Sequence, residues 1–144
     1  MIIKKISTKT IDAQKLLKKM QREYLPGSPI ANPTLGHWWV VYDNDIPIGF
    51  ASMVASFRWA NTGYLNRSGV APDHRGNGIQ KKLIKVRESY AKRIGYTHLV
   101  SDTRFNPPSA NSLISCGFKT YEPKHPWSFT TSIYWIKKIR NQND

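Results

Sequence analysis

Residues 69–84, G-V-A-P-D-H-R-G-N-G-I-Q-K-K-L-I, have the residue types and spacing of a phosphate-binding turn. A strand and a proline precede a turn with two glycines, which opens directly into a helical pattern. The first turn of a helix carries backbone N–H groups without intrahelical partners, at the positive end of the helix dipole. Gly76 and Gly78 lack Cβ atoms, so a phosphate can approach these groups, and Arg75 can add charge-assisted hydrogen bonds. This pattern predicts a diphosphate site.

Other phosphate-binding motifs fit this stretch less well. The G-K-[ST] triplet of nucleoside triphosphate P-loops is missing. The longer G-x-G-x-x-G run is absent as well, because Lys81 stands three places after Gly78. A dinucleotide site of the Rossmann type also needs a parallel strand unit, whereas we expect antiparallel strands before this turn. The structural alternative is a glycine-containing loop that only turns the chain.

The elements that position this turn follow from the spacing of apolar and turn residues. The predicted order is β, α, three β, α, β, α, β, β, with the three consecutive strands antiparallel. The predicted strands are residues 2–7, 37–42, 47–57, 64–70, 98–103, 118–121 and 132–138. The predicted helices are residues 10–24, 78–94 and 107–115.

The helix that follows the glycine turn has the clearest pattern in the chain. Its apolar stripe consists of Ile79, Leu83, Val86, Tyr90 and Ile94. We predict that its lysines and arginines occupy the other face, as in an amphipathic helix at a protein surface.

Length and composition indicate one globular domain. The chain has 144 residues, of which 40% are apolar, and this length is sufficient for a single core. We predict one α/β (α+β) domain over residues 1–138 and a polar C-terminal tail over residues 139–144. We predict no metal site.

The charge is strongly positive and the cysteine content is low. Twenty-two Lys and Arg against nine Asp and Glu give a net charge of +13, which favours an acidic partner: nucleic acid, an acidic protein surface or a phosphate-rich cofactor. The cationic residues are spread along the chain, so a solvated basic surface is the alternative.

A single cysteine, Cys116, excludes an internal disulfide. With no signal-peptide pattern and no apolar run of membrane-spanning length, we expect a cytoplasmic protein without a membrane contact.

The glycine-turn stretch resembles the acetyl-CoA signature of the GNAT superfamily of N-acetyltransferases, R/Q-x-x-G-x-G/A after a V-x-P strand end. Arg75, Gly78 and Gln80 take its three defined positions. The run I-P-I-G-F-A-S-M is similar to the third strand of that family. The run Asn106-Pro-Pro-Ser109, followed by Leu113 and Gly-Phe, resembles its N-x-x-S/A…G-F segment. The resemblance extends over most of the chain.

This resemblance implies a single mixed, mostly antiparallel sheet flanked by helices, in which the strands around 64–70 and 98–103 splay apart. It further implies that acetyl-CoA donates its acetyl group directly to an amine, with the pantetheine arm in the gap between those strands. The residues implied to bind the donor are Ser68 and Val70 for pantetheine, the amides of Gly76, Asn77, Gly78, Ile79, Gln80 and Lys81 for pyrophosphate, and Asn106 and Ser109 on the far side.

The sequence departs from the family pattern at two positions. Gln80 replaces the final Gly/Ala, which is tolerable if its side chain turns outward, because the backbone N–H makes the contact. Leu113 stands where many relatives carry the tyrosine that protonates the departing thiolate. Ser112 and Tyr121 lie nearby in sequence, but neither matches the motif.

A general base is the second catalytic requirement. An amine with a lysine-like pKa of about 10.4 needs roughly 4–5 kcal/mol to become neutral at pH 7. Relatives often place a glutamate on the strand before the signature, but here that strand reads Y-L-N-R-S-G-V. Asp102, at the end of the neighbouring strand, is the first candidate base, followed by Glu23 and His37.

The family geometry places the proline-rich loop 25–36 and the hairpin turn 58–63 beside the acceptor. The prolines give the first of these a definite shape. Trp127 and Phe129 are further candidates for the acceptor side. In an alternating strand, one of Trp38 and Trp39 faces the core and the other faces outward.

Two functions of different classes are consistent with these patterns. The first is an N-acetyltransferase that acts on a primary amine of an acidic small molecule or protein, as a monomer or homodimer. The alternative is a non-catalytic nucleic-acid-binding module that keeps the acetyltransferase fold. The cations available to contact phosphates are Lys81, Lys82, Lys85, Lys92 and Arg93. An acetyltransferase docked on a nucleoprotein target would combine both.

Overall fold

The structure, a computed structural model, describes residues 1–140. The strands are β1 (Ile2–Ile6), β2 (His37–Asp43), β3 (Ile46–Ala55), β4 (Thr62–Val70), β5 (His98–Thr103), β6 (Lys119–Tyr121) and β7 (Ile133–Lys138). The helices are α1 (Ile11–Tyr24), α2 (Ile79–Arg93) and α3 (Pro107–Ser115), with a short 3₁₀ turn at Pro72–His74. The predicted order of helices and strands is confirmed. None of the helices in the described range is long and apolar enough to cross a bilayer.

Two of the three helices begin at a capping side chain, and α2 does not. α1 starts where the Thr10 hydroxyl accepts a hydrogen bond from the amide of Ala13 (3.2 Å), and α3 starts where Asn106 Oδ1 accepts one from the amide of Ser109 (3.2 Å). These side chains cap the first helical turn in the usual manner. α2 instead begins after Gly78, which has a left-handed conformation and no capping side chain. Its first turn is therefore left open.

The seven strands form one sheet in the order β1-β2-β3-β4-β5-β7-β6. Every neighbouring pair is antiparallel except β4 and β5, which run parallel. That parallel ladder covers only three residue pairs, from Thr62↔His98 to Tyr64↔Val100. Beyond it the two strands separate, which confirms the predicted mixed sheet with splayed central strands.

A β-bulge in β4 marks the point of separation. Arg67 pairs with Ser52 of β3, but Tyr64 pairs with Val54, so β4 contains one residue more than β3 between these two pairs. A bulge bends the strand and increases its twist. The bend directs the second half of β4 away from β5, and the Ser101 hydroxyl bridges the strands at this point by donating to the carbonyl of Leu65 (3.0 Å).

Helices cover both faces of the sheet. Trp38 is buried with Leu17 and Phe50 on the α1 face, and Trp39 packs against Tyr90 of α2 on the opposite face, with ring centroids 5.6 Å apart. The two tryptophans are only 1% and 4% exposed. The prediction that one of them faces outward is wrong, because a strand in a sheet with two covered faces buries both of its sides.

The domain extends beyond its predicted boundary at residue 138. Ile139 is 7% exposed and belongs to the core, and its amide donates to the carbonyl of Thr97 (2.8 Å). Arg140 donates to the carbonyl of Lys92 at the end of α2 (3.0 Å). The predicted polar tail therefore starts too early, because Ile139 is an apolar residue that the core can accommodate. The rest of that tail, residues 141–144, lies outside the described residues.

The loop between α1 and β2 is held by one buried glutamine. Gln21, only 2% exposed, donates through Nε2 to the carbonyl of Ala31 (3.0 Å) and accepts from the amide of Ala31 through Oε1 (2.8 Å). The indole of Trp38 also donates to the carbonyl of Leu35 (2.8 Å). The prediction of a shaped loop is confirmed.

We expect Gln21→Met to lower the free energy of unfolding by about 2–3 kcal/mol, because both backbone groups of Ala31 would lose their partners inside the protein. Urea denaturation measures this loss. Gln14→Met is the matched control on the same helix, since Gln14 makes one side-chain bond, to the carbonyl of Thr8 (2.9 Å). Equal losses in the two variants would contradict the role of Gln21 as a loop clamp.

Candidate functional site

The glycine turn adopts a backbone that only glycine accommodates easily. Gly76 and Gly78 have φ angles of +82° and +74°, in the left-handed region. A Cβ atom added at either position would meet nothing within 4 Å. The space in front of the turn is therefore open, and a ligand can approach the backbone there.

The amides of the first α2 turn face this open space without protein partners. The first intrahelical bond of α2 runs from the amide of Lys82 to the carbonyl of Gly78 (3.2 Å). Between residues 1 and 140, no protein atom accepts a hydrogen bond from the amides of Ile79, Gln80 or Lys81. Unpaired amides at the positive end of a helix dipole form an anion site.

Arg75 lies against the end of β4. Its Nε donates to the carbonyl of Val70 (3.0 Å), and Asn77 closes the turn by donating to the carbonyl of His74 (3.1 Å). The guanidinium thus remains beside the turn, where its positive charge adds to that of the helix terminus. The same bond occupies the carbonyl of Val70, one of the backbone positions that we predicted for pantetheine.

His74 fastens the turn to the β2–β3 hairpin. Its Nε2 lies 2.9 Å from Asp43 Oδ2, and its Nδ1 lies 3.2 Å from Asp73 Oδ1. The hydrogen bonds to Asp43 and then to Asp73 raise the pKa of His74 above its usual value. A protonated imidazole donates from both ring nitrogens, as two carboxylates require.

A cavity of about 790 Å³ opens where β4 and β5 separate. Its walls come from both strands, the start of the α1–β2 loop, α2, α3 and the loop before β7. Five of the predicted site residues line it: Ser68, Gln80, Asp102, Asn106 and Ser109. Gln80 also belongs to the open first turn of α2, so the anion site and the cavity are continuous.

Two of the three candidate bases do not line this cavity. Glu23 is exposed and lies 3.9 Å from Lys19 one helical turn away. His37 packs against Tyr90 on the α2 face, with ring centroids 4.8 Å apart, and burial together with nearby Lys5 lowers its pKa. Asp102 is the candidate base that the fold brings into the cavity.

The two departures from the family pattern have definite positions. Gln80 does not turn outward: it is half-buried on the cavity wall. Leu113 is 4% exposed and lines the cavity together with Ser112. Tyr121 lies instead in an aromatic cluster at the edge of the sheet, with ring centroids 6.1 Å from Trp59. Of the two neighbours considered for the missing tyrosine, only Ser112 reaches the cavity.

A tyrosine that the sequence did not single out holds Asp102. The Tyr64 hydroxyl donates a hydrogen bond to Asp102 Oδ1. Burial, followed by the Asp102 charge, raises the pKa of Tyr64 well above its usual range, so the phenol stays neutral. Tyr64 pairs with Val100 in the parallel register, and Asp102 is two residues further along the same face of β5. The residues are 38 positions apart, so only the pairing of the strands connects them.

Aromatic side chains form part of the cavity wall. Trp127 packs edge-on against Tyr64 and Tyr134, with ring centroids at 5.9 Å and 4.5 Å, and the Arg104 guanidinium lies 4.1 Å from the ring centroid of Phe129. Trp127 and Phe129 both line the cavity, as does the start of the proline-rich loop. A smaller cavity of about 450 Å³ shares Tyr64 and Trp127 and reaches the hairpin turn at Arg58.

Arg87 of α2 also lines the cavity, and the sequence did not single it out as a site residue. It is 3% exposed, although we expected the arginines of this helix on the face opposite its apolar stripe. The expectation fails for Arg87 because its helix face points at the separated strands. Its Nε donates to the carbonyl of Leu83 (3.0 Å), and Nη1 donates to that of Ser52 (3.1 Å). Burial lowers its pKa to about 9.

Comparisons with known proteins agree with this geometry. A model of the acetyltransferase (GNAT) family matches residues 9–118. No curated protein matches the sequence.

Three solved structures illustrate the likeness in fold. The ribosomal-protein-S18-alanine N-acetyltransferase from Escherichia coli has a TM-score of 0.76 at 15% identity, over 99% of this chain and 97% of that one. Aminoglycoside 6'-acetyltransferase type Ii has a TM-score of 0.75 at 16% identity, over 99% of both chains. YncA from Salmonella typhimurium, solved with its cofactor acetyl-CoA, has a TM-score of 0.73 at 18% identity, over 99% of this chain and 96% of that one. At these identities the likeness establishes the fold.

The His74 clamp predicts a pH-dependent stability. Because its folded pKa is raised, the stabilisation is complete below the unfolded value of about 6.5 and is lost as the pH rises through the folded pKa. We expect Asp43→Asn to remove most of this dependence, measured by urea denaturation between about pH 5 and 9, and to lower the His74 pKa in an NMR titration. Asp45→Asn, which removes the same charge from the same hairpin turn, should change neither. An unchanged His74 titration in Asp43→Asn would refute the clamp.

Proposed function

The chain belongs to the GNAT family of acetyltransferases, and from this premise we propose that it transfers an acetyl group from acetyl-CoA to a primary amine. One observation carries the proposal: the open first turn of α2 continues into a cavity that holds a carboxylate. The turn suits a diphosphate, and the cavity suits a reacting amine beside the acyl end of the donor.

The residues of the turn and cavity fit such a donor. The open space at Gly76 and Gly78 admits the pyrophosphate, which the amides of residues 79–81 would hold. Beyond Tyr64, no strand in the described part of the chain pairs with the edge of β4 that faces β5, so its backbone groups at Ser68 can bond the amides of a pantetheine arm. When bound, acetyl-CoA supplies an acetyl group activated as a thioester.

Asp102 is the residue that we propose to receive the acceptor. Its carboxylate attracts the ammonium form of the amine and takes one proton, which frees the nitrogen lone pair to bond to the acyl carbon. As the carbon–sulfur bond breaks and the thiolate leaves, the nitrogen loses its second proton to solvent. The Tyr64 hydroxyl bond keeps the carboxylate in position. A thiol such as that of cysteine has a pKa of about 8.5, so a thiolate can leave without a dedicated acid, which Leu113 cannot provide.

The cavity walls favour an acceptor with an anionic group. Arg67 and Arg104 line the cavity near the aromatic side chains of Tyr64, Trp127 and Phe129. Together with the net charge of +13, these cations attract an acidic molecule and repel a polyamine. The acceptor class is therefore an acidic small molecule or protein that bears a primary amine. The alternative function, a non-catalytic nucleic-acid-binding module, rests only on the positive surface charge, and no feature of the cavity supports it.

We expect the protein to bind coenzyme A, and Gly78→Glu and Arg75→Ala to weaken the affinity at least about tenfold in calorimetry. The glutamate would fill the open space and place a negative charge at the anion site. Gly95→Glu is the matched control, because Gly95 also has a positive φ (+95°) and open space, at the other end of α2. Equal affinity in all four proteins would remove the site assignment.

We expect Asp102→Asn to lower kcat/KM about 10²- to 10⁴-fold and to leave coenzyme A affinity unchanged, because only the proton acceptor is lost. Tyr64→Phe should lower it less, since the carboxylate remains. A free-thiol assay with acetyl-CoA over a panel of acidic and neutral amines identifies the acceptor and measures the rates. Glu23→Gln is the control outside the cavity. A full rate in Asp102→Asn would exclude it as the base.

A further inference from the structure

Arg87 is a buried cation without an anionic partner. It is 3% exposed, yet none of the ion pairs formed among residues 1–140 includes it. The next residue, Glu88, is paired with Lys92 and Lys137 instead. A buried charge is normally paired, since its desolvation is costly.

The bonds of Arg87 leave part of its guanidinium free. Nε and Nη1 bond the backbone carbonyls of Leu83 and Ser52, and a guanidinium carries more N–H groups than these two bonds use. Nη2 donates to no protein atom in the described range, and the residue lines the large cavity. Neutral carbonyls position the group, but they do not neutralise its charge. With a pKa of about 9, the guanidinium stays charged at neutral pH.

The position of Arg87 on α2 relates it to the acyl donor. Gln80, Ile84 and Arg87 all line the cavity and follow the i, i+4, i+7 spacing of one helix face. Arg87 is nine residues after Gly78, which is about 13.5 Å along the helix axis at about 1.5 Å per residue. A donor held by its pyrophosphate at the first turn of α2 would therefore extend along this face toward Arg87.

Apolar side chains line the same cavity as Arg87. Leu65, Ile84 and Leu113 are buried and line it. Leu99 of β5 belongs to the same core cluster as Leu83 of α2, so the alternate β5 residues Ser101 and Thr103 face α2. Asp102, which we propose to receive the acceptor amine, therefore points to the other face of the sheet. Arg87 is thus on the donor side of the gap and Asp102 on the acceptor side.

We propose that Arg87 binds a carboxylate at the end of the donor's acyl chain, so that the cleft accepts dicarboxylic acyl-CoA thioesters besides acetyl-CoA. A planar guanidinium in a cavity that also has buried apolar side chains matches a chain of a few methylene groups that ends in a carboxylate. The inference rests on the proposed function, in that the cleft holds an acyl-CoA.

Calorimetry without an acceptor tests this inference separately from catalysis. The probes are coenzyme A and two stable thioethers of equal chain length, S-(3-carboxypropyl)-CoA and S-butyl-CoA. We expect the protein to bind the carboxylate probe at least about tenfold more tightly than the butyl probe. Arg87→Met replaces the charged group with an unbranched apolar side chain. This variant should lose the preference and keep the same affinity for coenzyme A.

Two further variants complete the test. Lys85→Met removes a charge from the exposed face of α2 and should keep the preference. Arg87→Lys retains the positive charge and should keep part of the preference for the carboxylate probe. If Arg87→Met fails to fold, the preference measured for Arg87→Lys tests the inference in its place. Binding of coenzyme A with equal affinity for the two thioethers would overturn the inference and leave the proposed function standing. No binding of coenzyme A by the unmodified protein would overturn both.

Discussion

The structure depends on the separation of β4 and β5 after only three residue pairs of their parallel ladder. Backbone groups inside a protein need hydrogen-bond partners, so a gap in the middle of a sheet is stable only where side chains, water or a ligand supply them. Ser101 supplies one such bond at the point of separation, to the carbonyl of Leu65. The remaining edge of β4 is the surface on which the proposed donor would lie.

Rigid parts on both sides keep this gap open. The bulge in β4 bends this strand away from β5. Arg87 of α2 holds β3 through its hydrogen bond to the carbonyl of Ser52. On the other face, Gln21 fixes the α1–β2 loop, whose first residues form a wall of the cavity. These contacts are made within the protein and need no ligand, and walls held in this way would lower the entropic cost of binding.

The sheet also separates charges within a single cavity. The helix terminus at Gly78 and the guanidinium of Arg87 lie on the α2 side, whereas the carboxylate of Asp102 lies on the other. An anionic donor and a cationic amine would thus be attracted to different sides of the same gap. Such an arrangement brings two ligands of opposite charge together at the point where the strands part.

The sequence by itself determined what depends on neighbouring residues: the order of the helices and strands, the glycine turn at Gly76 and Gly78, and the carboxylate of Asp102 at a strand end. Tertiary structure alone decided what depends on distant ones. Trp38 and Trp39 are both buried because helices cover both faces of the sheet, and Ile139 joins the core because Thr97 pairs with it. The contact between Tyr64 and Asp102 and the burial of Arg87 arise from strand pairing and helix packing. Local periodicity shows which residues share a face, but the element that covers that face comes from elsewhere in the chain.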